Sequence, residues 1–292
     1  MAIGGATRAR ELWRLLEPIH AVTYFSPEPL ARLKAAGYRG FWMGYFAGRA
    51  APLGVASADL VHALFYNFTF DHVARAIPDA WQFAPPAVGI KARQEGSVAA
   101  LRRHLEVGGT SPGITRAAEL AARAARQAPL EGRPLFAANH AMPEPDDPLA
   151  LLWHAATLLR EHRGDGHVAV LTAEGIGGRE AHVLHALATD TPAAVYAKAR
   201  DFGELEWTTT LTGLAERGFV RPDGTLTDAG REKKQAIEVR TDELAATGYL
   251  SLDDGEVDEL AGALRPITAA VVAAGEIPRQ SPMGLDLDES LR

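Results

Sequence analysis

Along the chain, apolar positions recur mostly three and four residues apart, the period of one face of a helix. Leu12, Leu15, Leu16 and Ile19 form the first such stripe, within residues 8–19. Ser26-Pro27-Glu28 reads as a helix start, with Ser26 as cap, Pro27 at the first helical position and Gly37 as the stop. Residues 40–48, GFWMGYFAG, are short enough for a strand, but their helical neighbours favour a buried helix that Pro52-Leu53-Gly54 breaks. A helix is expected from Ser57 through Leu64 and Phe68, and a short one over 71–76 before Pro78. Residues 83–95 contain Pro85, Pro86 and Gly89 and read as a connection, followed by helices at 97–106 and 114–127.

Residues 129–148, rich in Pro and Asp, mark the expected boundary between two halves. Pro148 opens a strong helix, LALLWHAATLLREH, which Gly164-Asp165-Gly166 should end while starting the next. Between 203 and 250 the pattern is a helix (204–216), the short apolar run Gly218-Phe219-Val220, the hairpin signal Asp223-Gly224, and a long amphipathic helix from Thr227. Helix, small hairpin, helix is a winged-helix order. A last helix should span 254–274, with a loose tail from Pro278.

The halves also carry an internal repeat. ARLKAAGYRGFWMGYFAG (31–48) aligns with TLLREHRGDGHVAVLTAE (157–174), placing Leu33 on Leu159 and Gly40 on Gly166. LVHAL (60–64) aligns with VLHAL (183–187), placing His62 on His185, and Trp81 and Trp207 follow at matching distances. The expected fold is therefore mainly α, with tandem, pseudo-duplicated winged-helix or helix-turn-helix units and a small β-wing in the C-terminal half. The expected division is 1–128 and 129–275 for the two units and 276–292 for a flexible tail.

Two resemblances bear on this. LAERGFVRPDGTLTDAGREKKQ resembles the wing of MarR-type regulators. GFWMGYFAGRAAPLG, Phe65-Tyr66-Asn67-Phe68 and LREHRGDGH together resemble an actinobacterial helix-turn-helix family whose members are mostly uncharacterised, over nearly the whole chain. The resemblance implies the fold and leaves activity open, since fold does not supply function.

Composition narrows the chemistry. The absence of cysteine removes disulfides, thiolate metal sites, iron–sulfur clusters and a cysteine nucleophile, and fits a reducing, cytoplasmic setting. No stretch is apolar enough to suggest a membrane span. A net charge of −7 disfavours DNA as a partner without excluding it, because phosphate neutralisation needs only a local basic surface. GxSxG, P-loop, HExxH and dinucleotide signatures are absent, and Gly175-Ile176-Gly177-Gly178 lacks a preceding strand. No metal site is expected, and the sequence specifies no cofactor.

The candidate chemistry lies in two clusters. Glu161-His162-Arg163-Gly164-Asp165-Gly166-His167 reads as a polar pocket wall, in which His162, His167 and Asp165 are candidate acid–base groups and Arg163 a candidate anion clamp. The same residues equally suit a helix end, with His162 at the C-terminus and Asp165 capping the next helix. His154 and His185 lie on neighbouring helices. Trp42, Tyr45 and Arg49 suit an aromatic wall with one cation, which core packing with an arginine at the rim would also explain. Asn67 sits in an apolar run, and His20 and Tyr24 can close the same pocket.

The sequence reading is thus a small-molecule-binding protein, or an enzyme, with an aromatic, arginine- and histidine-lined pocket between two halves. The alternative is a ligand-responsive helix-turn-helix DNA-binding transcriptional regulator. Against that alternative stand Glu204, Glu206 and Glu216 on the expected recognition helix.

Overall fold

The computed structural model describes residues 3–106 and 112–287. Fifteen α-helices and two 3-10 turns are present among them, and no strand. The first four helices are α1 (Ile3–Phe25), α2 (Pro27–Ala35), α3 (Gly40–Ala50) and α4 (Ala58–Leu64). Next come α5 (Phe70–Ala74), α6 (Ala80–Phe83), α7 (Pro86–His104), α8 (Pro112–Gln127) and α9 (Pro134–His140). α10 (Pro148–Ala173) is followed by α11 (Gly178–Thr189), α12 (Ala193–Arg200), α13 (Glu204–Glu216), α14 (Asp228–Ala246) and α15 (Asp254–Ala273).

The central layer is α10, a single 26-residue rod about 39 Å long. It starts where the sequence places it: Pro148 occupies the first turn, and the Asp147 carboxylate accepts from the Ala150 amide at 2.9 Å. It does not stop at Gly164-Asp165-Gly166. Both glycines keep helical backbone, and glycine at 166 leaves room for the Arg133 guanidinium that crosses there, 2.7 Å from where a Cβ would lie. Asp165 is no helix cap; its Oδ2 accepts from the Phe136 amide at 2.8 Å and ties α9 to the rod.

Around α10 lie three cores. The first joins α1, α7, α8, α10 and α15 through Leu12, Leu15, Ile19, Leu101, Leu152 and Leu264. Buried Ala117, Ala121 and Ala124 on α8 let it sit close to α10. The second is aromatic, with Phe46, Phe65 and Phe68 buried among residues 33–92. The third closes α11–α14 over the end of α10 through Val183, Tyr196, Phe202, Leu214 and Ile237.

Several expectations change. Residues 86–95, expected as a connection, join the helix expected from 97 as α7, since Pro85-Pro86 stands at its start, where proline is well tolerated. Ser26 occupies the cap position of α2 but donates its hydroxyl to Glu276 at 2.5 Å instead of capping. The β-wing shrinks to a single antiparallel bridge, Val220–Leu226, around a turn in which Asp223 Oδ1 accepts from the Thr225 amide at 2.9 Å. No pairing of that kind occurs among the described residues of 1–128, so tandem winged-helix units are not present. The glycines that the repeat aligns also differ: Gly40 has φ +71° at the start of α3, whereas Gly166 lies inside α10. The C-terminal segment packs as far as it is described, with Ile277, Leu285 and Leu287 buried; residues 288–292 lie outside the described residues.

Candidate functional site, a cavity beside the helix-turn-helix unit

α11, α12 and α13 make a three-helix unit, followed by the Val220–Leu226 turn and α14. Arg179 on α11 braces it, donating to the Arg200 and Asp201 carbonyls at 3.0 Å each and to Glu206 on α13 at 2.8 and 3.0 Å. The unit rests on the chain at Tyr66-Asn67. Tyr66 donates from its hydroxyl to the Ile176 carbonyl at 2.8 Å, and a Cβ at Gly178 would lie 2.2 Å from the Tyr66 carbonyl oxygen.

Between this unit, α10, α14 and the aromatic layer lies a cavity of about 420 Å³. That falls in the size range of ligand sites, roughly 300–1,000 Å³. Of the sequence candidates, Tyr45, Arg49, Asn67, Arg163, His167 and His185 line it. The others do not. His20 is fully buried: Thr157 Oγ1 donates to the Trp153 carbonyl, so His20 Nδ1 donates to Thr157 at 2.9 Å, and Nε2 accepts from Tyr24 at 3.0 Å. Trp42 packs on His72 with ring centroids 4.5 Å apart. His154 and His162 are buried in helix packing, the latter edge-on to Phe136 at 5.0 Å, and Asp165 binds α9.

Two ion networks frame the cavity. Arg49 donates to both oxygens of Glu161, at 3.0 and 2.8 Å, and Arg160 bridges Glu161 (2.9 Å) and Glu17 (3.0 Å). Burial alone would raise the Glu161 carboxyl, but Arg49 and Arg160 outweigh it and hold it at about 2. On the other side, Arg163 donates to Asp242 at 2.8 Å, Arg10 donates to Asp242 (2.8 Å) and Glu238 (2.5 Å), and Lys234 pairs with Glu238. Arg49 and Arg163, the anticipated anion clamps, are thus already neutralised by the protein.

The cavity histidines are neutral. Thr241 Oγ1 donates to the Ile237 carbonyl at 2.7 Å, so His167 Nδ1 donates to Thr241 at 2.9 Å, which leaves Nε2 unprotonated. Burial lowers His167 and His185 to about 4 each. Burial also lowers His162 to about 3 and His154 to about 4, and raises Asp165 to about 6. Among the described residues, no three side chains of His, Asp and Glu gather as a metal-ligand set.

Sequence reasoning missed Arg200 and the network of Glu17, Arg160 and Glu238; it does offer His182, three residues before His185 on the same helix face. His182 lines the cavity with Nε2 buried and unpartnered, as is Asn67 Oδ1. The signal for Arg160 lay in LREH itself, one residue before Glu161. Arg200 carried none, because its distinction is the lack of a carboxylate neighbour in space.

Three helices on one another, with an exposed third helix and a turn behind it, define a helix-turn-helix protein. The model of a helix-turn-helix family matches residues 9–278, and the chain belongs to that family. No curated protein and no solved structure matches the chain. No helix among the described residues is long and apolar enough to cross a membrane.

Proposed function

We propose that the protein is a ligand-responsive helix-turn-helix DNA-binding regulator, with α13 as the recognition helix and the cavity as the effector site. Family membership supports the DNA-binding half of this reading. The observation that carries it is the outer face of α13, where Leu205 is 82% exposed and Thr208, Thr209 and Thr212 stand exposed one turn apart. The exposed leucine suits thymine methyl groups, and the threonine hydroxyls, which donate to the carbonyls of Glu204, Leu205 and Thr208 one turn back, keep their oxygens free to accept from base amino groups. One of the acidic residues weighs less than the sequence suggests: Arg179 neutralises Glu206 at 2.8 Å. Exposed Lys198 on α12 and Arg221 in the turn supply charge for backbone contacts. The order of helices, the Asp223-Gly224 turn and long α14 are the features that a MarR-like reading rests on.

The test is fluorescence anisotropy of a labelled random duplex, titrated with the protein from low to physiological salt. Affinity that falls with salt is expected, since each neutralised phosphate releases counterions. Absence of binding at the lowest salt overturns the proposal.

A second reading, a small-molecule-binding protein or enzyme that does not touch DNA, is favoured by one observation. The exposed face of α13 carries no arginine or lysine, on a chain of net charge −7. In that reading His167 Nε2 is the base or polar contact in the cavity.

A further inference from the structure

Among the described residues, every cation around the cavity except one meets a carboxylate. Arg49 and Arg160 share Glu161 and Glu17, and Arg10, Arg163 and Lys234 share Glu238 and Asp242. Arg200, at the C-terminal end of α12, has none. Its one hydrogen bond runs from Nη1 to the neighbouring Ala199 carbonyl at 2.8 Å, and Nε is buried without a partner. Its guanidinium lies 4.5 Å from the centroid of the Phe68 ring, which fixes the stem and leaves the remaining donors free. Arg49 and Arg160 act on it as like charges, and the groups that act the other way are the phenols of Tyr45 and Tyr196.

Arg200 is half-buried with its Nε out of water, a costly place for a cation without a carboxylate, and a bound anion would supply the missing charge. Asn67 Oδ1 and His182 Nε2 are further buried polar atoms on the same wall without partners. Tyr45, Phe65 and Phe68 provide apolar surface beside them. We infer that the cavity takes an organic anion, its carboxylate, sulfonate or phosphate paired with Arg200 and its apolar body against Tyr45, Phe65 and Phe68. This deepens the effector reading above and rests on the cavity being a ligand site, but not on DNA binding. Burial holds the Arg200 guanidinium below the usual arginine range.

Two fluorescent probes separate charge from apolar affinity. 1-Anilinonaphthalene-8-sulfonate carries the anion, and N-phenyl-1-naphthylamine is the same aromatic body without it. The sulfonate is expected to bind saturably to the native protein and at least about tenfold more weakly to Arg200→Ala, the loss typical of a charge-assisted hydrogen bond. The neutral probe should bind both proteins equally. Arg200→Lys should recover part of the sulfonate affinity, and Arg200→Gln, which keeps the stem over Phe68, carries the comparison if Arg200→Ala does not fold. Equal sulfonate affinity in native and variant proteins, or equal loss of both probes in a variant with native circular dichroism, overturns the inference. Failure of the duplex titration alone would remove the regulator reading and leave this result intact.

Discussion

Arg49 and Glu161 lie 112 residues apart and meet through two parallel hydrogen bonds of 3.0 and 2.8 Å, with Glu161 only 1% exposed. This pair fastens α3 to the middle of α10 and occupies the arginine that the sequence offers as a ligand clamp. Arg49→Ala should therefore act on stability first. Removing one partner of a buried pair costs about 3–5 kcal/mol, and Arg160 remains beside Glu161, so a loss near about 3 kcal/mol is expected. Urea unfolding measures it, and a change below about 1 kcal/mol would show that the pair is not holding the two helices.

Acid should weaken the fold before most carboxylates titrate. His154, His167 and His185 are held at about 4 and His162 at about 3 by burial, against about 6.5 for a free histidine. Between those values the unfolded chain binds more protons than the folded one, so stability rises with pH and falls as pH drops below about 6.5. Each such histidine contributes up to about 1.4 kcal/mol per pH unit. Asp165, raised to about 6, opposes the trend with a single group. A thermal melt at pH 5 should thus lie below one at pH 7, and a flat profile across that interval would contradict the buried neutral histidines.

Gly178→Ala tests how tightly the helix-turn-helix unit is seated. The added Cβ would lie 2.2 Å from the Tyr66 carbonyl oxygen and 2.9 Å from Asn67 Cα, both backbone atoms that cannot swing aside. Overpacking of this kind costs about 1–3 kcal/mol. The variant should also alter probe binding, because Asn67 lines the cavity. A variant with native stability would mean that α11 and the 66–67 chain separate freely.

Leu205→Glu and Thr209→Glu place charge on the exposed face of α13. Neither side chain is packed, so stability should stay within about 0.5 kcal/mol of the native protein. Affinity for duplex DNA at low salt should fall at least tenfold (about 1.4 kcal/mol), as two like charges are brought to the phosphates. Unchanged affinity would move the DNA contact away from α13.

Periodicity made most long helices readable, because α1, α2, α3, α8, α13 and α15 each show a face or a stop within a few residues. Residues 83–95 misled because Pro85-Pro86 starts a helix as readily as it breaks one. Gly89 and Gly96 in α7 are instead close-approach sites, Gly96 leaving a Cβ only 2.3 Å from Pro29 Cα. Gly166 misled for the same reason: a glycine that stops a helix and one that admits a crossing arginine look alike in one dimension. Six of the candidate site residues line the cavity because Tyr45, Arg49, Arg163 and His167 follow helical spacing on α3 and α10, and Asn67 and His185 flank the α11 seat. Arg200 was illegible, since neutralisation is a property of neighbours in space.

The contact between Gly178 and the Tyr66-Asn67 chain is shared by two parts of the molecule. One side of it is cavity wall, and the other is the first turn of α11, which carries α12 and α13 through the Arg179 brace. The residues that shape the cavity wall are therefore the same residues on which the arm carrying α13 is seated.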